Sequence, residues 1–185
     1  PQISFAGNDV DGLFTWGAQV EALSYATSYI PTSGSQKTRN QDVCTNGGSL
    51  ATINSTEGTL YFEGSALAFT TIGRNITISN GTSNYVRIFY SNTSSKITYL
   101  VVANGSLVVN MSTGIFTQSD TIKIAVTWKL NEFKLYFNGI LLNTDTSGNT
   151  PIGLNNIRFS EPNGANKFFG KTKALAVWKE ALSDQ

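Results

Sequence analysis

The chain has 185 residues, enough for one substantial hydrophobic core and too few for two ordinary domains. Charged residues make up 14% of the chain and the formal net charge is +1, so we expect neither nucleic acid nor a membrane surface as a partner. Because the sequence begins at Pro1 and its one methionine is Met111, we expect a processed product or a fragment of a longer polypeptide.

The first 40 residues differ in pattern from the rest. Residues 13–21 alternate like a strand, whereas residues 25–39 are rich in Pro, Ser, Gly and Thr and show no sustained period. We therefore predict a boundary near residue 40. Residues 1–40 are then a strand and linker that end an upstream jelly-roll module, and residues 41–185 form the main domain.

From about residue 57 onward, short β-rich runs alternate with turn residues, and helical periodicity is almost absent. Asn-Gly pairs at 80–81, 104–105 and 138–139 can adopt the positive φ that hairpin turns require. This pattern predicts an all-β fold, an antiparallel two-sheet β-sandwich. The predicted strands cover residues 58–62, 75–79, 85–90, 97–102, 106–110, 121–130, 133–137, 156–159 and 171–178.

The period of two assigns each strand an inner and an outer face. The residues predicted to face the core are Val86, Ile88, Tyr90, Ile122, Ile124, Val126, Trp128, Leu130, Phe133, Leu135 and Phe137. Lys123, Ala125, Thr127 and Lys129 then lie on the outer face of the strand at 121–130.

Two stretches resemble known domains. Thr127-Trp128-Lys129-Leu130, followed by Lys134 to Gly139, is similar to the Trp and the Leu-Tyr-x-Asn-Gly hairpin of laminin G-like and concanavalin A-like domains. Residues 170–184 resemble the last strand of that superfamily, which leads into a short helix beginning Leu-Ser-Asp. The resemblance implies a concanavalin A-like jelly roll.

A third stretch, residues 16–21 followed by residues 25–32, resembles a segment that recurs in phage tail and tail-fibre proteins. That resemblance implies a virion or extracellular surface location. It also implies that the partners are cell-surface glycans or other virion proteins, and that the protein forms a homo-oligomer such as a trimer.

The chemistry available to an active site is limited. The chain has no histidine and one cysteine, which removes the common acid–base and metal-ligand arrangements. The remaining pair of carboxylates, Glu57 and Glu63, flanks one strand with no acid between them, and a capping or edge role explains it as well. We predict that the protein is not an enzyme.

Calcium is the one cofactor considered. Concanavalin A-like domains often hold a calcium ion near the rim of the sandwich with Asp, Asn and backbone oxygens. The resemblance therefore makes Asp145 and Asn143, predicted to share a loop, the candidate metal ligands. A plain polar turn is the alternative interpretation.

Carbohydrate recognition needs an exposed aromatic face with planar polar groups beside it. Tyr85, Arg87 and Phe89 point outward together from one strand, and Lys134 and Tyr136 point outward from another. If those two strands share a sheet, the five residues form one ligand-binding patch. Two hypotheses follow: a non-catalytic module that binds carbohydrate or a receptor, or a structural, oligomer-forming module with no glycan ligand.

Overall fold

The structure, a computed structural model, describes residues 17–20, 29–38, 47–66, 73–91, 95–117 and 120–183. The chain divides into two compact units, Pro1–Val43 and Cys44–Gln185. In the first unit, residues 17–20 and 29–38 are irregular. The strand predicted over 13–21 is therefore absent from 17–20, and the rest of that prediction lies outside the described residues.

Ten strands are present in the described part of the second unit. They are β1 (Glu57–Ala66), β2 (Arg74–Ser79), β3 (Tyr85–Tyr90), β4 (Ile97–Ala103), β5 (Ser106–Ser112), β6 (Ile122–Lys129), β7 (Glu132–Phe137), β8 (Ile140–Asp145), β9 (Asn156–Arg158) and β10 (Gly170–Trp178). Nine of them confirm the predicted runs. β8 was not predicted, because it lies at a sheet edge with exposed side chains on both faces and so lacks an alternating pattern.

The strands form two antiparallel sheets. Sheet A has the order β10-β1-β6-β7-β8, and sheet B has the order β5-β4-β3-β2-β9. The predicted two-sheet β-sandwich is therefore confirmed. No helix occurs among the residues with described structure, so none of these forms a helix able to cross a membrane. Residues 181–183 after β10 are irregular, and the rest of the helix start that the resemblance implies at Leu182-Ser183-Asp184 lies outside the described residues.

The core lies between the sheets and follows the predicted alternation. Trp128 is fully buried, and its indole N–H donates to the Asn54 carbonyl at 3.1 Å. Gly58 lies opposite Trp128 in the β1–β6 ladder, and a β-carbon there would come within 2.3 Å of the indole ring. Leu130 is the one predicted core residue that is exposed, at 59%, because the chain leaves β6 and turns at Asn131, whose φ is 56°.

Two hairpins close with Asn-Gly turns. Asn104 and Gly105 have φ values of 51° and 80°, and Asn138 and Gly139 have values of 51° and 84°. Positive φ at both central residues is the signature of a type I′ turn, whose twist matches that of the strands it joins. These turns join β4 to β5 and β7 to β8.

The segment after β10 folds against the beginning of β1. The Thr59 hydroxyl donates to the Glu180 carbonyl at 2.8 Å and accepts from the Leu182 N–H at 3.0 Å. The Asn54 side-chain amide donates to the Lys179 carbonyl at 2.9 Å. These bonds fix one end of sheet A, next to the last residue of β10.

Two buried tyrosines provide a matched test of the core. Burial raises the pKa of Tyr99 well above its usual range, and its hydroxyl donates across the core to the Thr127 carbonyl at 2.7 Å. The Tyr90 hydroxyl is also buried but has no hydrogen-bond partner among the described residues.

We expect Tyr99→Phe to lower the free energy of unfolding by about 1 kcal/mol, because it deletes a buried hydrogen bond. Tyr90→Phe should leave that free energy unchanged or raise it by up to about 1 kcal/mol, because it removes an unsatisfied polar group. Urea denaturation of both variants measures the difference. A greater loss of unfolding free energy in Tyr90→Phe than in Tyr99→Phe would contradict the hydrogen-bonding roles assigned to the two hydroxyls.

Candidate functional site

The outer face of sheet B carries the aromatic and basic residues predicted on β3. Tyr85, Arg87 and Phe89 are half-buried and alternate with the fully buried Val86 and Ile88. The predicted face assignment of β3 is confirmed. Tyr85, Arg87 and Phe89 are therefore presented together on one side of the sandwich, and we call them the sheet B patch.

Arg87 lies between the two rings of the sheet B patch. Its guanidinium carbon is 5.5 Å from the centroid of Tyr85 and 5.4 Å from that of Phe89, within the range of cation–π attraction. One guanidinium nitrogen lies 3.3 Å from the Glu161 carboxylate, and the two side chains are only 16% and 22% exposed. The guanidinium is thus held in a fixed orientation by three neighbours.

A polar floor extends from the sheet B patch across β4 and β5. Leu100 lies opposite Arg87, and Thr98 lies opposite Phe89. On the next strand Asn110 and Ser112 continue these rows, and the Thr98 and Ser112 hydroxyls are 3.0 Å apart. The floor therefore offers hydroxyl and amide groups beside the aromatic rings.

The segment after β9 forms a wall on the other side of the patch. Thr77 and Asn75, on the outer face of β2, are buried and donate to the carbonyls of Ser160 and Asn166 at 2.7 and 2.9 Å. Together with the ion pair of Glu161, these bonds hold the segment over β2. The sheet B patch is consequently a half-groove, walled on one side and open over β4 and β5.

Lys134 and Tyr136 do not join the sheet B patch, so the predicted five-residue patch does not form. Both residues lie on β7, which belongs to sheet A, whereas β3 belongs to sheet B. The outer faces of the two sheets point in opposite directions. The condition that the strands share a sheet is therefore not met.

Sheet A has an aromatic surface of its own, which the sequence analysis missed. Tyr61 and Tyr136 lie in one row across the sheet, with Ala125 between them. Trp178 is 41% exposed and its ring meets that of Tyr61 edge-on, at 6.5 Å and 68°. The period of two along β1 is enough to predict that Tyr61 points outward. The sequence does not show which strands are neighbours, so it could not place Tyr61, Tyr136 and Trp178 on one surface.

Charged side chains border the sheet A surface in pairs. The Tyr61 hydroxyl donates to Glu63 at 3.0 Å, and desolvation together with this carboxylate raises the pKa of Tyr61. Glu63 also pairs with Lys173 at 3.6 Å, and Lys134 pairs with Glu132 at 3.2 Å. The tyrosine thus remains a hydrogen-bond donor at neutral pH.

The carboxylates considered for catalysis are far apart. Glu57 and Glu63 lie on the same strand, and six residues of extended chain separate them by about 20 Å. Paired glycosidase carboxylates are roughly 5 to 9.5 Å apart. Glu57 instead pairs with Lys129 at 3.7 Å, at the first residue of β1, which lies between β10 and β6 and is not an edge strand.

The candidate calcium ligands lie on a strand, which corrects their predicted loop position. Asn143 and Asp145 belong to β8, opposite Leu135 and Phe133. One oxygen of Asp145 accepts from both the N–H and the hydroxyl of Ser147 at 3.0 Å, as in a polar turn. Among residues 17–183 whose structure is described, no three His, Cys, Asp or Glu side chains cluster as a metal site.

Comparison with known proteins identifies the fold. No protein-family model matches the chain, and no curated protein does. Similar solved structures include a heptameric SAP-like pentraxin from Limulus polyphemus, with a TM-score of 0.55 and 14% identity. A leech intramolecular trans-sialidase matches with a TM-score of 0.56 and 17% identity. Domain 4 of an extracellular arabinanase from Geobacillus stearothermophilus matches with a TM-score of 0.58 and 10% identity.

These matches cover 71 to 72% of this chain. They cover 69% of the pentraxin, 65% of the arabinanase domain and 22% of the trans-sialidase chain, so this chain spans less than two thirds of two of the three structures. At these identities the likeness concerns the fold alone. The shared fold is an antiparallel two-sheet β-sandwich of the jelly-roll type.

The Arg87–Glu161 pair should contribute measurably to stability. We expect Glu161→Gln to lower the free energy of unfolding by about 1 kcal/mol, because the pair is partly buried. Glu57→Gln is the matched control: its pair with Lys129 is longer and more exposed, and its loss should cost less than about 0.5 kcal/mol.

Urea denaturation at low and high salt measures both effects. The cost of Glu161→Gln should shrink at about 1 M salt, where the screening length is about 3 Å. Equal costs for the two variants would contradict a specific role for Glu161.

Proposed function

We propose that this chain is a non-catalytic carbohydrate-binding module that binds its ligand over the sheet B patch. The observation that carries the proposal is the fixed guanidinium of Arg87, held between Tyr85 and Phe89 and paired with Glu161. Sugar rings stack on aromatic side chains, and their hydroxyls bond planar polar groups beside them. A group already held in one orientation loses little conformational freedom on binding.

The half-groove around the patch suits an extended ligand. A sugar stacked on Phe89 would lie beside the hydroxyls of Thr98 and Ser112, which can each donate and accept hydrogen bonds. The wall that includes Glu161 would limit the ligand to one side. We propose that a glycan chain crosses β3 toward β5.

One similar structure supports this choice of ligand class, and a second was also solved with a sugar ligand. The arabinanase domain was solved with arabinotriose, and the trans-sialidase was solved with 2,7-anhydro-Neu5Ac. Because the identities are 10% and 17%, these ligands are properties of those proteins. The arabinanase domain indicates that a sandwich of this kind can serve carbohydrate recognition, whereas the match covers only 22% of the trans-sialidase chain and does not assign its ligand to the matching part.

We further propose that the module acts at an extracellular or virion surface, as part of a phage tail, tail fibre or adhesin. The resemblance of residues 16–32 to a segment of phage tail proteins supports this context. The ligand would then be a cell-surface glycan, and the protein would act as a homo-oligomer such as a trimer. Absence of catalysis is part of the proposal, since Glu57 and Glu63 lie far apart.

A structural role is the second candidate function, and one observation favours it. Ile140, Leu141 and Leu142 on β8 are 65%, 39% and 44% exposed at the edge of sheet A. An edge strand with unpaired backbone groups and apolar side chains can pair with another chain. Oligomer formation through β8 would fit a virion spacer that has no glycan ligand.

The proposal predicts binding to a panel of bacterial surface glycans that is lost in Tyr85→Ala/Phe89→Ala. Loss of both rings removes the stacking surface, and we expect affinity to fall at least about tenfold, or about 1.4 kcal/mol. Leu130→Ala, which deletes an exposed apolar side chain outside the patch, is the control. Binding that is unchanged in the double variant would overturn the site, and no binding by the folded protein would favour the structural role.

The same panel, repeated with a calcium chelator, tests the metal. If Asp145 and Asn143 hold a calcium ion that glycan binding requires, Asp145→Asn should abolish the calcium-dependent binding. If chelation changes neither binding nor the unfolding midpoint, calcium is no part of the function.

A further inference from the structure

We infer that the outer face of sheet A is a second binding site, which takes a neutral oligosaccharide independently of the sheet B patch. It is formed by Tyr61, Trp178 and Tyr136, from three different strands, and we call it the sheet A platform. The inference goes beyond the proposed function because it concerns the opposite face of the sandwich. It rests on the register of sheet A, the exposure of its aromatic rings and the pairing of its charges.

Strand register creates a gap between two tyrosines. Tyr61 is opposite Ala125 on β6, and Ala125 is opposite Tyr136 on β7. Neighbouring strands are about 4.8 Å apart, so the two tyrosine α-carbons are separated by about 10 Å. The side chain between them is a single methyl group, which leaves a shallow slot with an apolar floor and a phenol on each side.

Trp178 adds an aromatic surface on the far side of Tyr61. It lies diagonally across the ladder, and the residue directly opposite Tyr61 on β10 is Ala176. The rings of Tyr61 and Trp178 meet edge-on at 68°. Two aromatic surfaces at a steep angle, next to small side chains, allow one sugar ring to stack while its neighbour packs against the second ring.

The charges around the platform indicate a neutral ligand. Glu63 is satisfied by Lys173 and the Tyr61 hydroxyl. Lys134 is satisfied by Glu132, and its side chain is only 18% exposed. Because these carboxylates and ammonium groups are paired, they contribute little net field, and Lys123, exposed opposite Glu63 on β6, adds one positive charge at the border. They still offer donors and acceptors to hydroxyl groups at the edge of an apolar surface.

The size of the platform favours a small ligand over a protein. Its apolar part consists of three aromatic residues and two alanines, whereas a standard protein interface uses roughly 20 to 30 residues on each side. A pyranose ring needs only one or two aromatic surfaces with polar groups beside them. The platform therefore matches a few sugar units of an oligosaccharide.

The test uses the full chain and neutral hexasaccharides of glucose, mannose, galactose, xylose and arabinose. Isothermal titration gives affinity and stoichiometry, and acrylamide quenching is measured in a Trp16→Phe background, where it reports on Trp178 because the remaining tryptophan, Trp128, is fully buried. We expect a bound hexasaccharide to protect Trp178 from acrylamide. Trp178→Ala/Tyr136→Ala should weaken binding at this face at least about tenfold, and Trp178→Phe, which retains a ring and guards against misfolding, should weaken it less.

The sheet B double variant, Tyr85→Ala/Phe89→Ala, separates the two sites. If Trp178 is still protected in that background, and if binding there is weakened further by Trp178→Ala/Tyr136→Ala in the titration, the platform is an independent site. Failure of the sheet B site alone then leaves this inference standing. If binding is lost only in the sheet B variant, and acrylamide quenches Trp178 equally with and without sugar, the inference is overturned but the proposed function is not. The inference is also overturned if the protein forms a dimer that depends on Trp178 and binds none of the sugars, because the platform would then be a protein interface.

Discussion

Packing of alternate side chains between two antiparallel sheets is the constraint on which the rest of the structure depends. Each strand places every second residue in the core, and the largest of these, Trp128, fits only because Gly58 opposite it has no side chain. Since interiors are close-packed, the inward positions leave little freedom in residue choice. The outward positions are released from that requirement, and both candidate binding surfaces are built from them.

The two outer faces use aromatic residues in different ways. On sheet B the rings of Tyr85 and Phe89 enclose a cation that an acidic residue of the wall fixes, so the polar group lies at the centre. On sheet A the rings of Tyr61 and Trp178 form the centre, and paired charges lie at the border. The same sandwich thus presents two chemically distinct surfaces that face away from each other.

The sequence was sufficient for the strands and for the side to which each residue points, because both follow from a period of two along the chain. It predicted β3 and its outward Tyr85, Arg87 and Phe89 in full. It could not predict which strands are neighbours, since that depends on contacts between residues far apart in sequence. For this reason Lys134 and Tyr136 were grouped with β3 instead of with Tyr61, and the exposed edge strand β8 was mistaken for a loop.

Pairing of the first and last strands has a consequence for how the protein is made. β1 is hydrogen-bonded to both β6 and β10, and Thr59 contacts Glu180 across 121 positions of sequence. Contacts of such long range are slow to form, because the loop must close before they contribute any stability. During synthesis one side of β1 therefore stays unpaired until β10 has left the ribosome. Throughout that interval its backbone is a template for pairing with other nascent chains, because β10 is made after the nine other described strands.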